Sequence, residues 1–488
     1  MRLRWLGAAA LLSSFAAFAV GPKYKKPDVV TPENWQTPAP WHEASPLDKL
    51  PKGKWWTIFG DAELNGYENA ALQNNQSLKA ALARLSEARA SARTSASGLY
   101  PELDLAPSAL RERLSGNRPL SGSPVPFTPV TQNAFTIPFN LNYELDLFGR
   151  VRKGLESSNA LLQGSAADLE NLRLMITSDL AADYFQLREL DLEIGVVEKS
   201  IKFEKDGLDL VEKRHNGGAV SGLDVAQQQT VLDSAVTQLY LLQQQRAQNE
   251  HAIALLQGIP ASQFKAPVRA LDVAPPTVPM TLPTALLQRR PDIAEAERVV
   301  ASANAKIGIA RAAFYPDIFL QGQGGVQSQD ITSLFNAPSF LWSVGMSALE
   351  PLLAGGRLHA QLDFAKGTYE EDVANYRESA LVAFQQVEDA LAGLNALASA
   401  SDSQKRAVDD AQRSLDLANA RYTGGLVTYL DVVTAQELVL SNARQEAQIE
   451  GQRLVTSVYL VKALGGGWDD SSLAAINVKP SLNQAVRQ

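Results

Sequence analysis

Two hydrophobic periods take turns along this chain. Phe135, Ile137, Phe139, Leu141, Tyr143, Leu145 and Leu147 alternate with Thr136, Pro138, Asn140, Asn142, Glu144 and Asp146. A period of two predicts an amphipathic strand, about 40 Å long at roughly 3.3 Å per residue. Phe340, Trp342, Val344 and Met346 repeat the pattern, as do Ile318, Leu320 and Val326 set against Gln321, Gln323 and Gln327. With the less regular segment 101–113, four strands are predicted, at about 101–113, 133–148, 316–327 and 340–353. Elsewhere the period is helical. Leu187, Leu190, Ile194, Val197 and Ile201 recur at 3-4-3-4 spacing, a coiled-coil-like seam. Residues 150–259 and 352–479 contain no proline, and a helix from Arg150 to Arg214 alone would be about 97 Å long. Gly217-Gly218 and Gly424-Gly425 end such helices and reverse the chain, since glycine takes the left-handed position past a helix end. The long helical pairs are thus predicted over 150–259 and 356–464.

The order of these elements repeats. A shift of 207 residues lays Gly149-Arg150 on Gly356-Arg357, Arg214 on Arg421, Gly217-Gly218 on Gly424-Gly425 and Val220 on Val427. It also lays Asp224-Val225 on Asp431-Val432, Gln229 on Gln436, Ser234 on Ser441 and Gly258 on Gly465. Upstream a shift of 215 works, with Leu72 on Leu287, Leu78 on Ile293 and Tyr100-Pro101 on Tyr315-Pro316. Each copy, 61–260 and 284–466, reads as helix, two strands and a long helical pair. A proline-rich linker, 261–283, joins them, with an extended segment 20–60 before and a tail 467–488 after. Units of this size are far longer than those of solenoid arrays.

The N-terminus narrows the setting. Arg2 and Arg4, the apolar run Leu6 to Val20 and Ala17-Phe18-Ala19 predict a signal peptide over 1–19, cleaved after Ala19. The strands then read as outer-membrane strands, apolar toward lipid and polar toward a lumen, rather than as soluble hairpins. Four strands cannot close a barrel, and open edges are costly in lipid, so other copies of the chain must complete the sheet. Two copies would give 8 strands around a filled interior; three would give 12 and a lumen. The reading is an α+β membrane protein, a conduit with outer loops near 114–132 and 328–339.

Composition removes most other functions. The chain has no cysteine, which excludes disulfides, thiolate metal sites and cysteine nucleophiles. Its four histidines stand far apart, so no metal or other cofactor is expected. A formal charge of −8 argues against nucleic acid. Gly322-x-Gly324-Gly325 lies inside a strand, where small-residue packing explains it better than a phosphate loop. Gly465-Gly466-Gly467 is a helix stop, and Glu388 and Asp389 belong to a helix surface. Nothing in the sequence makes it an enzyme. A coiled-coil scaffold in the periplasm would account for the helices but not for the alternation from Phe135 to Leu147.

Several motifs, in order, resemble the TolC-like outer-membrane factor family, in its NodT/OprM-like branch of tripartite efflux proteins. They are Val20 through Pro27, Arg290-Pro291-Asp292-Ile293, Ala313 through Asp317, Gly355-Gly356-Arg357, and Arg421-Tyr422 to Asp431-Val432. The resemblance covers essentially all of the mature chain. It implies a homotrimer with a 12-stranded outer-membrane barrel, continued by a helical barrel through the periplasm. It also implies a periplasmic adaptor and an inner-membrane pump, most often RND-type, as partners; a duct for type I protein secretion is the alternative within the family. One departure stands out: the branch's lipidated cysteine position holds Phe18.

The residues singled out lie at the two helical turns. Gly217, Gly218 and Val220, with Gly424, Gly425 and Val427, are the expected tips that meet the adaptor. Ser221-x-x-Asp224 and Thr428-x-x-Asp431 have capping-box spacing, with Asp in place of Glu. The resemblance gives Asp431 a second role, as one acidic ring of a closed gate whose second acidic position is Thr434. Tyr422 is the expected latch between helices; its equivalent in the first copy is His215. Asp224 is the comparison site for Asp431.

Overall fold

The computed structural model describes residues 20–32, 35, 53–115, 129–271, 273–276 and 283–479. Ala19, Phe18 and the rest of the expected signal peptide lie outside them. The elements are α1 (Ala62–Asn74), α2 (Gln76–Ser97), β1 (Glu102–Leu105), β2 (Ser108–Leu114), β3 (Val130–Glu144), α3 (Arg150–Asn216) and α4 (Gly222–Leu256). The second half adds α5 (Pro283–Arg289), α6 (Pro291–Ala312), β4 (Asp317–Ser328), β5 (Phe340–Leu349), α7 (Arg357–Thr423) and α8 (Tyr429–Ala463). Every bound of α3 and α4 reappears in α7 and α8 displaced by 207, and α2 reappears in α6 displaced by 215. At 67 residues each, α3 and α7 run about 100 Å. No described helix is long and apolar enough to cross a membrane.

The strands form one antiparallel sheet in the order β1–β3–β4–β5, with β2 beside β1 on the same flank of β3. Several strand limits differ from the sequence expectation, including the start of β3 at Val130 rather than near 133. The strand expected over 101–113 is split where it passes Pro138 of β3: the Ala106 N–H donates to the Pro138 carbonyl, but Pro138 has no N–H to return. The register nevertheless runs through the break: Leu105 faces Phe139 and Ser108 faces Thr136. The second strand stops at Glu144 rather than near 148, since Asp146 turns to accept the Val151 and Arg152 N–H groups at the start of α3. The fourth ends at Leu349 rather than 353, just before Pro351.

Opposed residues share a face, so the register sorts the whole sheet. Leu103, Leu105, Ile137, Phe139, Leu141, Leu320, Val326, Phe340, Trp342, Val344 and Met346 lie on one side; Asn140, Asn142, Gln321, Gln323 and Ser343 lie on the other. Among the described residues this apolar side is left largely open, although Val326 is buried: Trp342 is 82% exposed and Val344 72%. A soluble hairpin packed on a core would have buried them. Gly325 accounts for its motif, since a Cβ there would stand 2.2 Å from the Ile137 carbonyl oxygen.

The main core lies along the middle of the helices, not under the sheet. Trp55, Trp56 and Phe59 pack with Leu180, Tyr184 and Phe185 of α3, Tyr376 and Val387 of α7, and Val458 and Val461 of α8. The two copies close this region in the same way. A Cβ on Gly258 would meet the Asn74 carbonyl oxygen at 2.5 Å, and one on Gly465 the Arg289 carbonyl oxygen at 2.0 Å. Both glycines have positive φ. Chain ends after α4 and α8 thus dock on the ends of α1 and α5.

Candidate functional site

The turns lie at the end of the helices remote from the sheet. Each helix α3 and α7 ends in a Schellman motif. The Gly218 N–H donates to the His215 carbonyl and the Ala219 N–H to the Arg214 carbonyl; Gly425 and Leu426 do the same with Tyr422 and Arg421. Gly218 and Gly425 take φ of 75° and 73°, whereas Gly217 and Gly424 have φ of −82° and −77°. Only the second glycine of each pair is therefore conformationally required. Val220 packs inward, while Val427 is half-buried at the apex.

Both capping boxes form. Asp224 Oδ2 accepts the Ser221 N–H at 2.9 Å and its hydroxyl at 3.0 Å; Asp431 Oδ2 accepts the Thr428 N–H at 3.0 Å and its hydroxyl at 2.8 Å. Asp431 is exposed. Thr434, one turn on, is also exposed and spends its hydroxyl on the Leu430 carbonyl at 2.9 Å.

The Tyr422 ring contacts side chains of two other helices. The Arg214 guanidinium stands 5.2 Å from its centroid, and the Tyr429 ring 5.0 Å away, tilted by 60°. Its Oη is buried without a hydrogen-bond partner among the described residues. Tyr429, which sequence reasoning missed, makes the polar link instead. Its hydroxyl donates to Gln228 Oε1 at 2.7 Å, and Gln228 Nε2 donates to the Glu204 carbonyl at 2.9 Å. That chain joins α8 to α4 and α3. It passes over Gly207, where a Cβ would stand 3.3 Å from Gln228 Nε2 and 3.4 Å from Tyr429 Oη. A glycine in mid-helix costs about 1 kcal/mol against alanine, and Gly207 was the available signal for a close crossing. Val211, Val231, Leu415, Val432 and Val433 seal the crossing with apolar surface.

Buried carboxyl groups along α3 are hard to ionise. Burial pushes Glu204 up to about 7, with Glu437 adding and the Ser200 hydroxyl opposing. Burial likewise raises Glu189 to about 7, with Glu193 beside it. Tyr429 is pushed up to about 12, first by burial and then by Tyr422 and Asp224. Glu193 itself is held by Arg444 at 2.6 Å, and Arg444 reaches Gln238 at 3.0 Å, tying α3, α8 and α4 together higher up.

Two long helical hairpins joined to one sheet with an exposed apolar face are the shape shared with known proteins. The description of the outer membrane efflux protein family fits residues 68–258 and 282–466, one segment for each copy. The chain belongs to the outer membrane efflux protein family. It is 32% identical to the pyoverdine export outer membrane protein OpmQ of Pseudomonas putida, over 91% of this chain and 93% of that one. It is 33% identical to the toluene efflux pump outer membrane protein TtgI of the same species, over 94% and 98%. Among solved structures, the outer-membrane channel OprN superposes with a TM-score of 0.85 at 28% identity, covering 92% of this chain and 99% of that one. The chain is thus an outer-membrane efflux channel protein, and the helical turns are its end farthest from the sheet.

Proposed function

We propose that three copies of this chain close a 12-stranded barrel in the outer membrane and a helical tube below it, which receives small molecules from a periplasmic adaptor and an inner-membrane pump of the RND type. One observation carries the reading: a broad apolar sheet face, exposed at Leu103, Leu105, Phe139 and along β5, on a four-strand-wide sheet whose two flanking strands have no outer neighbour among the described residues. Such edges are intolerable in lipid until other copies pair with them. The turns around Gly217-Gly218-x-Val220 and Gly424-Gly425-x-Val427 are the surfaces offered to the adaptor. Asp431 from each copy makes one acidic ring at the mouth, with Thr434 above it uncharged and the Tyr422 and Tyr429 contacts holding the hairpins at a fixed separation. Relatives of similar identity are named for cargo as different as pyoverdine and toluene. Cargo choice is therefore assigned to the pump rather than to this channel.

The test is assembly. Detergent-solubilised protein should run as a trimer and form pores in planar bilayers. A stable, water-soluble monomer without conductance would refute the reading.

A further inference from the structure

The lipid side of the sheet changes character at one end. The face that bears Leu103, Leu105 and Ala109 continues along β2 to Arg111, opposite Asn133, and Arg113, opposite Thr131. Both arginines are exposed, and neither guanidinium has an ion-pair or hydrogen-bond partner among the described residues. The acids of the same flank, Glu102, Asp104 and Glu112, have the other parity, and Glu112 is engaged on that face by Gln132 at 2.8 Å. Helices join the sheet next to Glu102 and Glu144, so the arginines sit at the opposite pole, beyond the apolar band.

We propose that Arg111 and Arg113 clamp a phosphate of lipopolysaccharide in the outer leaflet. The inference rests on the barrel reading above, which makes this pole the outer rim and this face the lipid face. Arginine is tolerated on a lipid-facing strand only close to the interface, where anionic headgroups lie. Two residues apart on one strand face, the side chains start about 6.6 Å apart, a spacing that lets two planar guanidinium forks close on one phosphate. Asn133 and Thr131 beside them add hydrogen-bonding groups to the same face. The second copy has Val326 and Ser328 at the equivalent positions, so the clamp occurs once per chain. It stands on the flanking strand, next to where another copy's β5 would bring Phe340 and Trp342 against the acyl chains.

The experiment starts from trimer already shown to conduct, so failure of the channel reading appears before any lipid is added. Native mass spectrometry then follows binding of bis-phosphorylated lipid A. Arg111→Gln with Arg113→Gln should weaken binding about tenfold or more, the loss expected when charge-assisted hydrogen bonds disappear. The paired Lys variant, which keeps both charges, should retain most of the affinity. Dephosphorylated lipid A should bind wild-type protein no better than intact lipid binds the Gln variant. Equal affinity of wild type and Gln variant, or of the two lipids, overturns the proposal. So does a Gln variant whose trimer falls apart while its remaining trimers bind lipid normally, because the arginines would then join copies to each other.

Discussion

The two long hairpins share a frame and differ at their ends. Both end α3 or α7 in a Schellman turn and start α4 or α8 with a capping box. Yet the second hairpin carries Tyr422 and Tyr429 where the first has His215 and Gly222. The first supplies the receiving parts Gln228 and Gly207, where the second has Ala435 and Ser414; the arginine under Tyr422, Arg214, has an arginine, Arg421, as its equivalent. One hairpin is a plug and the other a socket. The junctions with the sheet diverge too. Asp146 caps α3 and Phe148 stacks on Tyr315 at 4.7 Å, while their equivalents, Leu353 and Gly355, do neither, and Leu353 is 94% exposed. Duplication fixed lengths and turn chemistry; divergence then made complementary surfaces out of equivalent positions.

The strongest test of that comparison concerns what the copies still share. Gly465→Ala and Gly258→Ala each force a Cβ into a left-handed residue and against a backbone carbonyl. The conformation costs about 1–2 kcal/mol and the overlap about 1–3 more. Gly218→Ala has open space around it and should cost only the first part, about 1–2 kcal/mol. Thermal unfolding should rank the three with Gly465→Ala lowest. Equal melting of all three variants would mean that the docking of α4 and α8 on α1 and α5 contributes nothing.

The plug and socket come next. Tyr429→Phe leaves Gln228 Oε1 buried without its donor, which costs about 1–3 kcal/mol. Tyr422→Phe deletes a hydroxyl that has no partner among the described residues and should leave stability within about 0.5 kcal/mol. Melting curves in which Tyr422→Phe is the more damaging would reverse the assignment of the polar link.

Sequence pattern revealed the frame because the frame is periodic. The shifts of 207 and 215, the Gly-Gly reversals and the Ser221 and Thr428 boxes depend on residues close in sequence, and local rules reach them. The split near Pro107 could not be read from its own segment, because the missing N–H is that of Pro138 on β3, and β3 also keeps the register across the gap. The Tyr429–Gln228–Glu204 chain was out of reach. Its partners are 201 and 24 residues apart, and the repeat comparison offered no hint, because their equivalents are Gly222 and Ala435. Gly207 alone pointed to a crossing, without saying what crossed.

The socket also makes stability depend on pH. Glu204 sits at about 7 against an ordinary 4.5, so the folded state binds its proton more tightly than the unfolded chain does. Its contribution is fully present below about 4.5 and is lost as pH rises through about 7. Glu204→Gln should therefore melt higher than wild type at pH 8, with the gap closing toward pH 5. Glu189 and Glu295, also pushed to about 7, tilt both proteins equally and cancel in the difference. A gap that is constant with pH would show that Glu204 ionises no differently in the fold.

A small stability effect is shared by the two aspartates that look most alike. Asp224 and Asp431 accept the same two hydrogen bonds from the residue three before, at distances within about 0.2 Å of each other. Asparagine keeps a side-chain acceptor at either site and loses only the charge that complements the positive end of the helix dipole. Both Asp224→Asn and Asp431→Asn should therefore lower stability by the same small amount, about 0.3–1 kcal/mol. Conductance is where they should part. Three Asp431 carboxylates around one axis would attract cations and repel anions, more so at low salt. Asp431→Asn should then lower cation selectivity in planar bilayers, and the change should shrink as salt is raised, while Asp224→Asn alters selectivity less. If the two variants shift ion selectivity equally, or not at all, Asp431 is a helix cap like its counterpart, and the asymmetry of the hairpins lies in Tyr429 and its socket alone.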